Sequence, residues 1–155
     1  MMHNRSENRL SESLLSILQK ERYVLLASID FETKGPCLHA ISWVYAPNST
    51  TVYFVIDMRS RLIRNIKQEK KVAITVIGDD STYSIYGNAS ISMERLKEVP
   101  LLLSLVKVDV TQVRDVMFYG GKISSPPEYE KTYDKNAADK LDAQVMEAMK
   151  KLSLS

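Results

Sequence analysis

Tyr53-Phe54-Val55-Ile56-Asp57-Met58-Arg59-Ser60-Arg61-Leu62-Ile63-Arg64-Asn65-Ile66-Lys67-Gln68, followed by Lys71-Val72-Ala73-Ile74-Thr75-Val76, is the stretch that settles the architecture. Its aromatic and β-branched run through Asp57 reads as a strand. Ser60 is a good helix N-cap, with Leu62, Ile63 and Ile66 on one helical face and Arg61, Arg64 and Gln68 on the opposite one. A second β-branched run, Val72 to Ile77, follows at once. The predicted unit is strand, short basic helix, strand. Amides left free at a helix start, beside Arg59 and Arg61, make an anion site of phosphate size. The plainer reading is three solvated arginines on a short surface helix, and the residues alone leave both open.

Composition bounds the rest. A chain of 155 residues is long enough for one domain, spanning 1–155, with a real core. Charged residues make up 26% and hydrophobic residues 45%, as in an ordinary soluble chain. A net charge of +2 is too small to imply nucleic acid, so any basic site must come from local clustering. Cys37 is the single cysteine, which rules out an internal disulfide; with only His3 and His39 beside it, no structural zinc set is expected. Arg5, Glu7, Arg9 and Glu12 break up the N-terminus, so no signal peptide is expected. The apolar run Leu101 to Val106 is interrupted by Ser104 and is far short of a membrane span. The expectation is a cytoplasmic protein with neither a membrane nor a nucleic-acid partner.

Outward from the opening stretch, residues from about Asn8 to Arg22 carry Leu10, Leu14, Leu15, Ile17 and Leu18 at helical spacing. Tyr23 to Ile29 reads as a strand, Phe31 to Pro36 as a turn, and Cys37 to Ala46 as the next strand. Pro47-Asn48-Ser49-Thr50 and Gly78-Asp79-Asp80-Ser81 are further turns. Thr82 to Met93 alternates, with Tyr83, Ile85, Gly87, Ala89 and Ile91 on one face and a bulge or bend expected at Gly87. Met93 to Leu103 begins as a helix and is interrupted by Pro100, after which Val106 to Val110 and Val113 to Tyr119 read as strand. Gly120 to Asp134 should be an exposed loop, and Asn136 to Leu152 a last helix with Ala137, Leu141, Val145 and Met149 at fourfold spacing. Six or seven antiparallel strands joined by short turns predict a closed or nearly closed barrel with flanking helices.

Three segments together resemble the FMN-binding split barrels related to pyridoxamine 5′-phosphate oxidase, particularly the short general-stress-protein type. They are Val24 to Asp30 with Pro36 to Val44; Val52 to Asp57 through Ser60-Arg61 and Arg64-Asn65-Ile66 to Val72-Ala73; and Tyr86-Gly87-Asn88-Ala89. The resemblance covers roughly residues 20 to 119, the barrel core, and implies a mainly β, six- or seven-stranded antiparallel split barrel. It implies FMN as cofactor, its phosphate and ribityl chain held by Ile56, Asp57, Met58, Arg59, Ser60 and Arg61, with Arg64 as a substitute cation. It places the strand from His39 through Ile41, Ser42 and Trp43 along the isoalloxazine. It also implies a homodimer with flavin at the subunit interface, the partner chain contributing the stretches Tyr83 to Gly87 and Met117 to Tyr119. Two features depart from the family pattern. Leu62 stands where a lysine is common, and Glu69-Lys70-Lys71 replaces an Asn-Pro. The chain also ends in helix rather than in a basic, histidine-containing strand, which argues against oxidation of a B6 vitamer.

Each site residue has a structural reading beside its functional one. Ser60 caps a helix with or without a phosphate. Trp43 can pack in a barrel without a ligand, and His39 can be a hydrogen-bonded strand histidine. Ser42 can hydrogen-bond a flavin ring. No Ser-His-Asp set, carboxylate pair or nucleotide-binding glycine loop stands out, so any chemistry belongs to the cofactor. The leading functional reading is a flavin-dependent oxidoreductase with a small-molecule substrate or a nicotinamide cofactor as second partner. A non-enzymatic flavin-binding or flavin-buffering stress protein is the alternative, and a haem-binding barrel a variant. A third reading, a barrel binding single-stranded nucleic acid, would use Arg59, Arg64, Lys67, Lys70 and Lys71 with tyrosines as stacking platforms.

Overall fold

Two long antiparallel strands, Ser81–Met93 and Leu103–Asp115, form the spine of a computed structural model that describes residues 6–154. His3 and Arg5 lie outside the described residues. In chain order the elements are β1 (Ser6–Glu7), α1 (Glu12–Ile17), β2 (Val24–Ile29), β3 (Pro36–Ile41), β4 (Val44–Asn48), β5 (Thr51–Asp57), α2 (Arg61–Gln68), β6 (Lys71–Gly78), β7 (Ser81–Met93), β8 (Leu103–Asp115) and α3 (Lys135–Ser153). The strands pair in the order β3-β2-β6-β7-β8-β5-β4, all antiparallel, and β1 adds to β8.

That order makes the sheet a split barrel. β3 and β4 stand at opposite ends of the path, yet only Ser42 and Trp43 separate them in the chain. The sheet must therefore curl until its ends meet, and no ladder joins them where they do. The sequence predicts one strand from Cys37 to Ala46; the structure corrects this to two. At Ser42 the chain leaves β2 for β5: the Val44 amide donates to the Ser42 carbonyl at 3.1 Å, and the Val55 amide to the Trp43 carbonyl at 3.0 Å. The inward parity changes across the joint: β3 half-buries Cys37, His39 and Ile41, whereas β4 buries Val44 and Ala46.

Local chemistry explains the other joints. Asp79 and Asp80 have φ of 54° and 66°, the left-handed pair that a two-residue hairpin between β6 and β7 needs. The expected irregularity at Gly87 is present, with the extra residue, Thr111, on the partner strand. A Cβ at Gly87 would lie 2.5 Å from the Asp109 carbonyl oxygen, so only glycine allows β8 this close.

Three expectations change. The opening helix is limited to Glu12–Ile17, because Ser11 caps it and Leu18, its last-turn cap, gives its carbonyl to the Ala46 amide. Residues 94–102 form a loop instead of a helix: the Leu96 amide donates to the Leu103 carbonyl at 2.8 Å, and Leu96 and Val99 turn inward. β8 ends at Asp115, whose carboxylate accepts from the Met117 amide at 3.0 Å, so Met117 to Tyr119 is not strand. At its start α3 buries Ala138 rather than Ala137.

Two cores result. Inside the barrel, Leu26, Phe54, Ile74, Ile85 and Val106 meet Leu62 and Ile66 of α2 and Leu14 of α1. Outside it, Val55, Leu96, Leu103 and Leu105 meet Val145 and Met149 of α3, with Trp43 at the border. Because β5 supplies Phe54 to one core and Val55 to the other, its end at Asp57 is held from both faces. Among the described residues no helix is long and apolar enough to cross a membrane.

Candidate functional site

The end of β5 turns into α2 through a bonded corner. The Ser60 amide donates to the Asp57 carbonyl at 2.9 Å, and the Ser60 hydroxyl accepts from the Leu62 amide at 3.2 Å. Asp57 accepts from Arg59 three times, from the amide at 2.8 Å, Nε at 3.0 Å and Nη2 at 2.8 Å. These bonds to the Arg59 guanidinium and amide hold the Asp57 carboxyl down at about 2. Met58 is fixed by its amide to the Leu102 carbonyl at 3.0 Å.

One residue further, Arg61 reaches the β2–β3 turn. Its Nε lies 2.5 Å from Asp30 Oδ1, and its Nη2 lies 3.1 Å from Asp30 Oδ2 and 2.5 Å from Glu32 Oε1. The Arg61 guanidinium and the amides of Thr33 and Glu32 hold the Asp30 carboxyl well below the usual carboxylate range. Phe31 sits between two arginines, 4.5 Å from Arg61 and 4.1 Å from Arg64. Its amide donates to buried Asn65, which in turn donates to Ser28 at 3.0 Å. The helix start is thus bolted to the turn. Arg61 keeps Nη1 without a hydrogen bond, and Arg64 pairs with no carboxylate among the described residues. Lys67 pairs with Glu94 at 3.2 Å.

A cavity of about 450 Å³ opens where the barrel is split. Its floor is Ala40, Ile41, Ser42 and Trp43 on one side and Val55, Ile56 and Asp57 on the other. The structure therefore brings together Ile41, Ser42, Trp43, Ile56 and Asp57. Met58, Arg59, Ser60, Arg61 and Arg64 continue from its Asp57 end without lining it. His39, on β3 opposite Leu26 of β2, lies outside the cavity, and its buried Nδ1 has no hydrogen-bond partner among the described residues. Within one chain, Tyr83 to Gly87 and Met117 to Tyr119 do not line it either; Met117 Sδ accepts from the hydroxyl of Thr82, the residue before the first stretch, at 3.6 Å.

The remaining wall is missing from the sequence reading. Tyr129, Lys131 and Tyr133 come from the segment before α3, and Tyr23 stands just before β2. Lys131 Nζ lies 2.8 Å from Glu21 and 3.2 Å from Asp142. Asp142 also accepts from Trp43 Nε1 at 2.8 Å, and Glu21 from the Ser42 hydroxyl at 3.3 Å. Burial works against the Lys131 ammonium, but its bonds to Glu21 and Asp142 more than compensate and raise its pKa. Burial and the hydrogen bond to Glu21 push the Tyr129 hydroxyl up to about 12. Residues 120–134 have no periodicity, so only their mixed aromatic and charged content hinted at more than a solvated loop.

Such a cavity, apolar and aromatic with a few convergent polar groups, has the make-up of a small-molecule site. It presents no nucleophile–base pair of its own. The fit to a flavin rests on that lining; the cationic groups with spare donors, Arg61 Nη1 and Arg64, stand outside the cavity, against the β2–β3 turn.

Comparison with known proteins bears on the fold. A candidate pyridoxamine 5′-phosphate oxidase from Lactobacillus delbrueckii superposes with a TM-score of 0.61 at 16% identity, covering 72% of this chain and 98% of its own. General stress protein 26 from Bacillus anthracis gives 0.54 at 16%, covering 66% and 89%. An F420 reductase gives 0.55 at 20%, covering 67% and 98%. At these identities the likeness is one of fold. No curated protein matches the chain. The family model described as pyridoxamine 5′-phosphate oxidase matches residues 10–116, from α1 to the end of β8, and by that match the chain belongs to the pyridoxamine 5′-phosphate oxidase family.

Proposed function

We propose that this protein binds FMN and is a flavin-dependent oxidoreductase acting on a small molecule, as one domain across its length. The carrying observation is the position of the cavity. It lies at the barrel split, and its Asp57 end leads within four residues to Arg61. In this reading Ile41, Trp43 and Ile56 pack the ring, and Ser42 offers it a hydroxyl. His39 extends the same face of β3 beyond the cavity. Met58 and Ser60 shape the corner, while Arg61 and Arg64, with Arg59 nearby, receive the phosphate. FMN, when bound, supplies hydride and electron transfer; the chain supplies binding, orientation and a partly closed groove. A homodimer is part of the proposal, with Tyr83 to Gly87 and Met117 to Tyr119 of a second copy closing the groove, in a cytoplasmic setting. A reduced nicotinamide is the proposed electron donor.

The experiment is direct. Purified protein is examined for flavin absorption, released chromophore is identified by mass, and apoprotein is titrated with FMN. Binding of about one FMN per chain is expected, with reduction on adding NADH or NADPH. A protein that ignores FMN removes the proposal. Binding without reduction by either nicotinamide would replace the oxidoreductase with a flavin-holding protein.

A further inference from the structure

Lys131, on the cavity wall, lies outside the matched region and is held by two carboxylates that do not themselves line the cavity. Two carboxylates, Glu21 and Asp142, share the single ammonium of Lys131, at 2.8 and 3.2 Å. The Lys131 side chain is only 23% exposed, so water screens the group weakly. Its ammonium stands 5.9 Å from the Trp43 ring centroid and 5.8 Å from that of Tyr129, on the wall facing Ile41 and Ser42. The lysine and Asp142 both belong to the part of the chain after residue 116, where the family match ends.

We infer that Lys131 is a tuning residue for the redox potential of the bound ring, supplied by the segment that follows the barrel. The inference rests on the flavin reading above. The ring takes a hydride, two electrons with one proton, from a reduced nicotinamide, which leaves oxidised, and so gains one negative charge. A cation on the cavity wall favours that state, and an unpaired carboxylate opposes it. Removing the lysine also strips Glu21 and Asp142 of their shared partner, so both effects lower the potential. Removing one carboxylate acts in the opposite sense. The segment after residue 116 thereby sets how readily the ring accepts electrons while the barrel does the holding.

The test measures FMN bound to the full-length protein by two questions in turn. FMN affinity for the wild-type apoprotein comes first; absence of binding overturns this inference together with the function proposed above. The midpoint potential of the bound FMN is then compared among variants by reductant titration with a reference dye. Lys131→Met is expected to weaken reduced FMN about tenfold relative to oxidised FMN, a fall of about 30 mV for a two-electron couple. Lys131→Arg should hold the wild-type value, and Glu21→Gln should raise it. If Lys131→Met fails to fold, the Glu21→Gln shift still decides the matter. Wild-type FMN binding with unchanged potentials overturns the tuning role alone. So does a shift of Lys131→Met and Glu21→Gln in the same direction, or a fall in Lys131→Arg equal to that in Lys131→Met.

Discussion

Arg61 and Asp30 are joined twice, Nε to Oδ1 at 2.5 Å and Nη2 to Oδ2 at 3.1 Å, and this pair ties the first turn of α2 to the β2–β3 turn. The residue with most to offer a phosphate is therefore also a structural clasp. Its side chain is 43% exposed, so it can serve both partners at once through its different nitrogens.

The clasp gives stability a pH dependence of known sign. The Asp30 carboxyl is held well below its ordinary value by the Arg61 guanidinium and by turn amides. Protons therefore bind the unfolded chain first. The contribution is complete near neutrality, begins to fade as pH falls below about 4, the unfolded value, and is gone only in strong acid. Urea unfolding of the wild type should show its midpoint dropping between pH 5 and pH 3 more steeply than that of Asp30→Asn. Parallel curves would deny Asp30 this role.

Opposite effects on cofactor affinity should come from the two ends of the clasp. Arg61→Ala removes a charge-assisted donor, a loss of roughly 1.5–3 kcal/mol and about 10- to 100-fold in FMN affinity. Glu32 is 62% exposed and competes for Nη2, so Glu32→Gln should tighten FMN several-fold. Isothermal titration of apoprotein separates the cases. Equal affinity in all three proteins would move the phosphate away from α2.

Trp43 is the chain's only tryptophan and lines the cavity. Its emission should fall steeply as FMN fills the site, in proportion to occupancy. Riboflavin, which lacks the phosphate, should quench to the same end point at higher concentration. FMN binding that saturates by isothermal titration while tryptophan emission stays unaltered would place the ring elsewhere.

Gly87 offers a test of the spine. Alanine there sets a methyl group against the Asp109 carbonyl oxygen at 2.5 Å and Val108 Cγ1 at 2.6 Å. Both neighbours belong to a paired strand and cannot move aside. A cost of about 1–3 kcal/mol in denaturant unfolding is expected. Gly35→Ala, whose nearest neighbour is a side-chain oxygen at 3.4 Å, should cost far less.

What the sequence by itself determined is whatever a few neighbouring residues can encode. The β5–α2–β6 unit, the Ser60 cap and the turn at Asp79 and Asp80 follow from spacing and backbone preference, and all three stand in the structure. That Ile41 to Trp43 would lie beside Ile56 to Asp57 could be foreseen because these residues sit on strands whose order matched a family pattern. Tertiary structure alone decided the split at Ser42, the partners of Arg61 and the wall around Lys131. Those depend on pairs such as Glu21 and Lys131, 110 positions apart, or Trp43 and Asp142, 99 apart. No local periodicity carries such distances. They become defined only when α3 buries Val145 and Met149 against β5 and carries the preceding segment across the open seam of the barrel.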